Sequence, residues 1–126
     1  MKTEKEQLFS NMIKKWVANT WLGWWKIDVV FLDFKEYSEQ EDIENPYRSV
    51  AICITNWEYM YAVIKVNSSI LENEDIDDIE YYAIHELMHV ILNEMREDSA
   101  KHEERVATFL AKSFLQTEKS TIEKLG

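Results

Sequence analysis

The sequence predicts an α+β domain made of an N-terminal helix, a small three-stranded, mainly antiparallel sheet, and two further helices. Apolar residues recur at three-to-four spacing near both ends of the chain, and short runs rich in β-branched and aromatic residues fill the middle. Only two glycines and one proline occur in 126 residues, without a repeat or a glycine-rich phosphate loop. We therefore expect one compact domain over residues 1–126.

Charge and cysteine content narrow the classes of partner and compartment. The 24 acidic residues outnumber the 14 basic ones, whereas a nucleic-acid binder needs a dense basic surface. The single cysteine, Cys53, allows no intrachain disulfide, which favours a reducing compartment. The first ten residues are too acidic for a signal peptide, and no apolar run reaches about 18 residues. We expect a cytoplasmic monomer that binds neither nucleic acid nor membrane.

The first half of the chain predicts a helix, a strand and a loop in that order. The helix covers about Glu4 to Asn19, and "WWKIDVVFLDF" predicts the first strand because it is rich in aromatic and β-branched residues. The polar stretch from Lys35 to Asn45 is interpreted as a loop. The apolar stripe of the helix consists of Leu8, Met12, Ile13, Trp16 and Val17.

A hairpin follows the loop. "YRSVAICITN" predicts the second strand, "NWEY" a tight turn, and "MYAVIKVN" the third strand, in which apolar residues alternate. The short separation between these strands predicts that they pair antiparallel.

Two helices complete the chain. The first covers about Ile76 to Met95, and the second begins after a cap at Asp98 or Ser99 and ends at about Thr117. The core face predicted for the first of them is formed by Ile76, Ala83, Leu87, Val90 and Ile91.

The helix from Ile76 contains the pattern His85-Glu86-Leu87-Met88-His89, and its two histidines are predicted on roughly the opposite side from that core face. Histidines four residues apart lie one helical turn apart, so both imidazoles can bind one Zn²⁺. Glu86 follows the first histidine and can accept a proton from an attacking water. The competing interpretation is an amphipathic helix with two surface histidines.

A catalytic zinc takes three protein ligands, so the last helix should supply one more. Its apolar stripe runs through Val106, Ala107, Leu110 and Phe114. Glu103 lies in the middle of that stripe, where an unpaired carboxylate is costly, and is the predicted third ligand. Glu104, toward the exposed side, and His102, near the other edge, are the alternatives.

The arrangement of helix, small sheet, HExxH helix and glutamate helix resembles the gluzincin peptidases, and over the whole chain the compact minigluzincins. The segment "EERVATFLAKSFL" is similar to the ImmA/IrrE peptidase motif "ExxANxFAxxLL", which aligns its ligand glutamate with Glu103. Ala107 stands where that motif usually has Asn or Asp. The resemblance implies a zincin-like fold and a zinc-dependent endopeptidase with a thermolysin-like mechanism.

In this mechanism a water activated by zinc attacks the peptide bond of a peptide or protein substrate, with Glu86 as general base. We expect the third strand, around Tyr61 to Val66, to be the sheet edge that holds the substrate extended. Tyr82, on the histidine side of its helix, is a candidate for stabilising the oxyanion. The alternative function is a catalytically silent binding or adaptor module with a zincin fold, of phage or mobile-element origin.

Overall fold

The structure, a computed structural model, describes residues 1–20, 22–40, 43, 45–92 and 100–125, without the side chains at positions 57, 100–103, 105, 106 and 123–125. Its elements are α1 (Glu4–Asn19), β1 (Lys26–Leu32), α2 (Phe34–Ser38), β2 (Ala51–Asn56), a 3₁₀ turn (Trp57–Tyr59), β3 (Tyr61–Asn67), α3 (Ser68–Leu71), α4 (Ile76–Leu92) and α5 (Ala100–Leu125). The predicted α+β class is confirmed, as is the order of helix, three strands and two long helices.

Helix α1 begins at a reciprocal cap. The Glu6 backbone N–H donates to Thr3 Oγ1 at 3.2 Å, and the Thr3 N–H donates to Glu6 Oε1 at 2.9 Å. Each bond satisfies a backbone donor that the first turn of a helix cannot pair by itself. The face that α1 buries most deeply carries Phe9, Ile13 and Trp16.

The three strands form a mixed sheet in the order β1-β3-β2. Strand β2 pairs antiparallel with β3, which confirms the predicted hairpin, with Cys53 opposite Ile64. Strand β1 pairs parallel with β3, with Val29 opposite the same Ile64. The sequence did not predict this parallel pairing, because the chain between β1 and β3 gives no sign of which strand β1 joins.

Strand β3 lies at the centre of the sheet, so the prediction that it is the substrate-binding edge is wrong. Both of its sides are paired, one with β1 and the other with β2. Its alternate residues Ala62, Ile64 and Val66 are fully buried, as expected for a central strand with one covered face. A substrate that adds to this sheet must therefore do so at β1 or β2.

Part of the stretch predicted as a loop, Lys35 to Asn45, is helical. Asp33 caps α2 by accepting a hydrogen bond from the Glu36 backbone N–H at 2.8 Å. Tyr37, in the middle of this short helix, is fully buried. A five-residue helix with one buried side chain has no periodicity to detect, which is why the sequence suggested a loop.

Helix α4 is the central element, and its burial differs from the predicted stripe. It packs against α1, α5 and β2, so side chains are buried nearly all round it. Ile76 and Ile91, predicted in the core, are 58% and 43% exposed, whereas Ile84 and Met88 are fully buried. A helix covered on three sides has no single apolar face, and the predicted separation of a core side from a histidine side does not hold. The predicted end at Met95 lies outside the described residues.

Helix α5 continues to Leu125, beyond the predicted end at about Thr117. A polar contact fixes its second half: Lys15 Nζ on α1 lies 2.7 Å from Glu80 Oε2 on α4 and 3.0 Å from Glu118 Oε1 on α5. These charges pair across α1, α4 and α5, a contact between helices that the spacing of apolar residues does not reveal. Neither α5 nor any other helix in the described ranges is long and apolar enough to cross a membrane.

The close approach of α5 to α4 depends on the small, fully buried side chains of Ala107 and Ala111. We expect Ala111→Leu to lower the free energy of unfolding by about 1–3 kcal/mol, because it overfills this contact. Urea unfolding measures this change. The matched control is Lys112→Leu, at the next, exposed position, which should change stability by no more than about 0.5 kcal/mol. Equal effects at both positions would contradict the observed packing of α5.

Candidate metal centre

His85 and His89 lie one turn apart on α4, with their imidazoles directed to the same side. Their ring centroids are 4.9 Å apart and the rings are nearly perpendicular, at 83°. His85 is only 8% exposed, in contrast to the surface histidine of the competing interpretation. Both residues lie on the side of α4 that meets α5.

Glu104, near the start of α5, bridges the two histidines. Its Oε1 lies 2.7 Å from His85 Nε2, and its Oε2 lies 3.0 Å from His89 Nε2. One ligand atom from each of the three residues lies within 4.8 Å of the others. The group thus joins two helices through three side chains of the types that bind transition metals.

Glu104 reaches the two histidines because it lies on the face of α5 that contacts α4. Ala107, Thr108 and Ala111 follow Glu104 by three, four and seven residues, which puts all four residues on one side of the helix. Ala107 and Ala111 are fully buried, so this side faces the core. The predicted apolar stripe, through Leu110 and Phe114, had its centre about one residue round the helix from this observed face.

The predicted third ligand was Glu103, with Glu104 and His102 as alternatives. The structure brings Glu104 to the histidines. The side chains of Glu103 and His102 lie outside the described residues, so the prediction for Glu103 stays a prediction.

Glu86 is buried beside His85, with 6% of its surface exposed. Its Oε2 lies 3.2 Å from His85 Nδ1. A proton on Nδ1 satisfies this contact and leaves Nε2, the nitrogen that faces Glu104, as the ring nitrogen with which a metal would bond. Carboxylates commonly fix the ring and tautomer of metal-binding histidines in this way.

The charges of the cluster depend on one another. Burial of the His85 imidazole disfavours its charged form, but hydrogen bonds to Glu104 and Glu86 outweigh burial and raise its pKa to about 10. Hydrogen bonds from His85 and His89 hold the pKa of the Glu104 carboxyl well below its usual range. A divalent cation that binds here must therefore displace a proton from His85.

The donor set and spacing fit a zinc ion. Two imidazole nitrogens and one carboxylate are a common protein ligand set of catalytic Zn²⁺, which leaves a fourth position for water or substrate. With bonds of about 2.0–2.1 Å, two ligands of a tetrahedral zinc lie about 3.3–3.4 Å apart. The contacts of Glu104 with His85 and His89, at 2.7 and 3.0 Å, need to open by roughly 0.6–0.7 and 0.3–0.4 Å to reach this separation.

Two tyrosines precede the first histidine, and they have different partners. The Tyr82 hydroxyl, predicted at the oxyanion, donates to Glu74 Oε2 at 3.0 Å. Burial and this hydrogen bond raise the pKa of Tyr82 to about 12. The ring of Tyr81 lies against His85, with centroids 5.8 Å apart. Sequence reasoning missed Tyr81, although its position one turn before His85 was the available signal.

Tyr37, outside the cluster, is a buried tyrosine whose titration responds to the charge of Glu86. It is fully buried in α2, and its hydroxyl shares a short hydrogen bond with Ser49 Oγ. Burial raises the pKa of Tyr37 to about 12, and the charge of Glu86 acts in the same direction. The Tyr37 hydroxyl is therefore a neutral group in the electrostatic surroundings of Glu86.

Comparison with known proteins adds no assignment. No protein-family model matches the chain, and no curated protein sequence matches it significantly.

The ion pairs of the cluster predict how stability depends on pH once metal is stripped from the protein. The pKa of His85 is raised from 6.5 to about 10, so its stabilisation is complete below pH 6.5 and is lost as pH rises toward 10. The pKa of Glu104 is lowered from 4.5, so its stabilisation is present above pH 4.5 and is lost as pH falls.

The free energy of unfolding of wild type should therefore exceed that of Glu104→Gln most between about pH 4.5 and 6.5. Urea titrations of both metal-stripped proteins from pH 4 to about 10 measure this difference. A difference that stays constant above pH 6.5 would show that His85 is not held protonated.

Proposed function

We propose that this protein is a zinc-dependent endopeptidase. The observation that carries the proposal is the convergence of His85, His89 and Glu104, with the buried carboxylate of Glu86 directly beside the first histidine. The pattern of two histidines with a glutamate between them, joined by a carboxylate from a following helix, is shared with the gluzincin peptidases that the sequence resembles.

The proposed ligands are His85 Nε2, His89 Nε2 and the Glu104 carboxylate. Distances of 2.7 and 3.0 Å support Glu104. The alignment with the ImmA/IrrE motif instead supports Glu103, so the adjacent glutamates are tested against each other below.

Zinc bound by these ligands would lower the pKa of a water toward about 7 and polarise the scissile carbonyl. Glu86 would accept the proton of the attacking water and deliver it to the leaving amine. For this step its carboxylate would turn from His85 Nδ1, on the side of the ring away from Nε2, toward the water. Glu86 is buried, and its contact with His85 Nδ1 orients the imidazole of that histidine. Glu104 holds α5 against α4 and contributes the negative charge that a cationic centre needs.

A peptide substrate would approach from the sheet side of α4. Of the two outer strands, β2 is the one that packs against α4, so it replaces β3 as the strand beside which we propose the substrate lies. The single cysteine supports a reducing, cytoplasmic location.

Zinc content separates the two candidate third ligands. We expect Glu104→Ala to lose bound zinc, as His89→Ala does, because the carboxylate bridging both histidines is removed. Glu103→Ala is the matched control, one residue earlier on the same helix, and should keep about one zinc per chain. Elemental analysis of proteins purified without a metal-binding tag measures this. Zinc loss in Glu103→Ala but not in Glu104→Ala would assign the ligand to Glu103.

Glu86→Gln tests catalysis separately from metal binding. Glutamine keeps an oxygen that can accept from His85 Nδ1 but cannot take a proton from water. We expect zinc to be retained and cleavage of a peptide library to fall about 10²–10⁴-fold, the usual contribution of a general base. If wild type binds one zinc but cleaves no peptide in the library, the chain is the catalytically silent module instead.

A further inference from the structure

The proposed centre requires two helices to be held at a fixed separation. Two ligands lie on α4, but the third lies on α5, fewer than two turns after that helix begins. The Glu104 side chain is 58% exposed, so little packing around it fixes its position. Besides its bonds to the two histidines, other contacts between α4 and α5 therefore help to set where its carboxylate lies.

The next side-chain contact along the two helices is between Tyr81 and Thr108. Tyr81 precedes His85 by four residues and Thr108 follows Glu104 by four, so this pair forms the adjoining layer of the antiparallel helices. The Tyr81 ring contacts the His85 ring, at 5.8 Å between centroids and 40° between planes. The Tyr81 hydroxyl lies 3.5 Å from Thr108 Oγ1.

We propose that Tyr81, packed against Thr108, is a positioning residue of the metal centre. It touches a ligand on α4 directly and contacts α5 one turn from Glu104. It thereby restrains the His85 ring and the separation of the two helices together. This inference rests on the proposed metal site, but not on peptidase activity.

The geometry indicates which part of Tyr81 acts. A distance of 3.5 Å is long for an O–H···O hydrogen bond, for which about 2.7–2.8 Å is usual, so the hydroxyl contributes little. The ring lies at the separation typical of favourable aromatic pairs and packs against the core. Loss of the ring should therefore affect the centre much more than loss of the hydroxyl.

The test compares metal binding in four folded variants with wild type. Tyr81→Leu removes the ring, Tyr81→Phe removes only the hydroxyl, and Thr108→Leu widens the same layer from the α5 side. Phe114→Leu is the control, because Phe114 also packs a ring in the helical core but contacts Trp16 edge-to-face, 5.9 Å between centroids. Zn²⁺ affinity by chelator competition, the visible spectrum of bound Co²⁺ and the Tm of the metal-stripped protein are measured for each.

We expect Tyr81→Leu and Thr108→Leu to weaken Zn²⁺ binding about 10-fold or more, the usual effect of disturbing groups that orient metal ligands, and to change the Co²⁺ spectrum. Tyr81→Phe and Phe114→Leu should bind within about 3-fold of wild type, although Phe114→Leu lowers the Tm. If Tyr81→Leu does not fold, Thr108→Leu decides.

Two outcomes overturn the inference, and they are distinguishable. Wild-type affinity and spectrum in Tyr81→Leu or Thr108→Leu, with only a lower Tm, would make Tyr81 a packing residue and leave the proposed function intact. Failure of wild type itself to bind one Zn²⁺ or Co²⁺ would overturn the proposed metal site and this inference together.

Discussion

The constraint on which the structure depends is the burial of α4 on three sides. A helix packed against α1, α5 and β2 can carry ionisable groups only where each finds a partner. His85 and Glu86 are both almost completely buried, and they lie next to each other. The carboxylate of Glu104, delivered from α5, provides the remaining partner, so the site and the docking of α5 are two aspects of the same contact.

The contact between these ionisable side chains is expected to add little to the free energy of unfolding. Replacing a buried ionic group by apolar side chains of similar volume is commonly neutral or stabilising, whereas removing one member alone is strongly unfavourable. The chain has apolar alternatives close by, since Ile84, Leu87 and Met88 fill the rest of this part of α4. Packing therefore does not account for two histidines and a glutamate at this position, and this supports the proposal that they bind a cation.

The sequence predicts most of the fold because each long element has its own signal. The apolar stripe along α1, the alternation along β3 and the spacing along α4 are local features, and the corresponding elements form close to where they were predicted. The features that the sequence did not predict depend on contacts between parts of the chain that are far apart in sequence. The central position of β3 depends on β1 joining it from a distance along the chain, and the extent of α5 depends on Lys15 reaching Glu118.

In the candidate site, too, the histidine pair is predicted from local spacing, whereas the glutamate depends on how two helices pack. One turn of helix brings His85 and His89 together, so their spacing alone predicted them. Choosing between two adjacent glutamates requires the rotation of α5 about its own axis to be known to within about 100°, the angle between consecutive residues of a helix. The sequence prediction placed the centre of the buried face on large apolar residues. The buried face is centred on Ala107 and Ala111 instead, because small residues allow close approach of two helices. In helix pairs of this kind, small buried residues are a better guide to the contact face than large ones.

The layers between α4 and α5 connect this packing to the chemistry. The histidines and Glu104 form one layer, Tyr81 and Thr108 the next, and the buried alanines lie along the same side of α5. A rigid second layer would matter to the proposed zinc centre, because zinc ligands must keep their separations to within tenths of an ångström, whereas a glutamate near a helix start has three rotatable bonds. In the proposed centre, an aromatic ring against the first histidine would restrain the ligands without adding a charge and would leave the fourth coordination position to water or substrate.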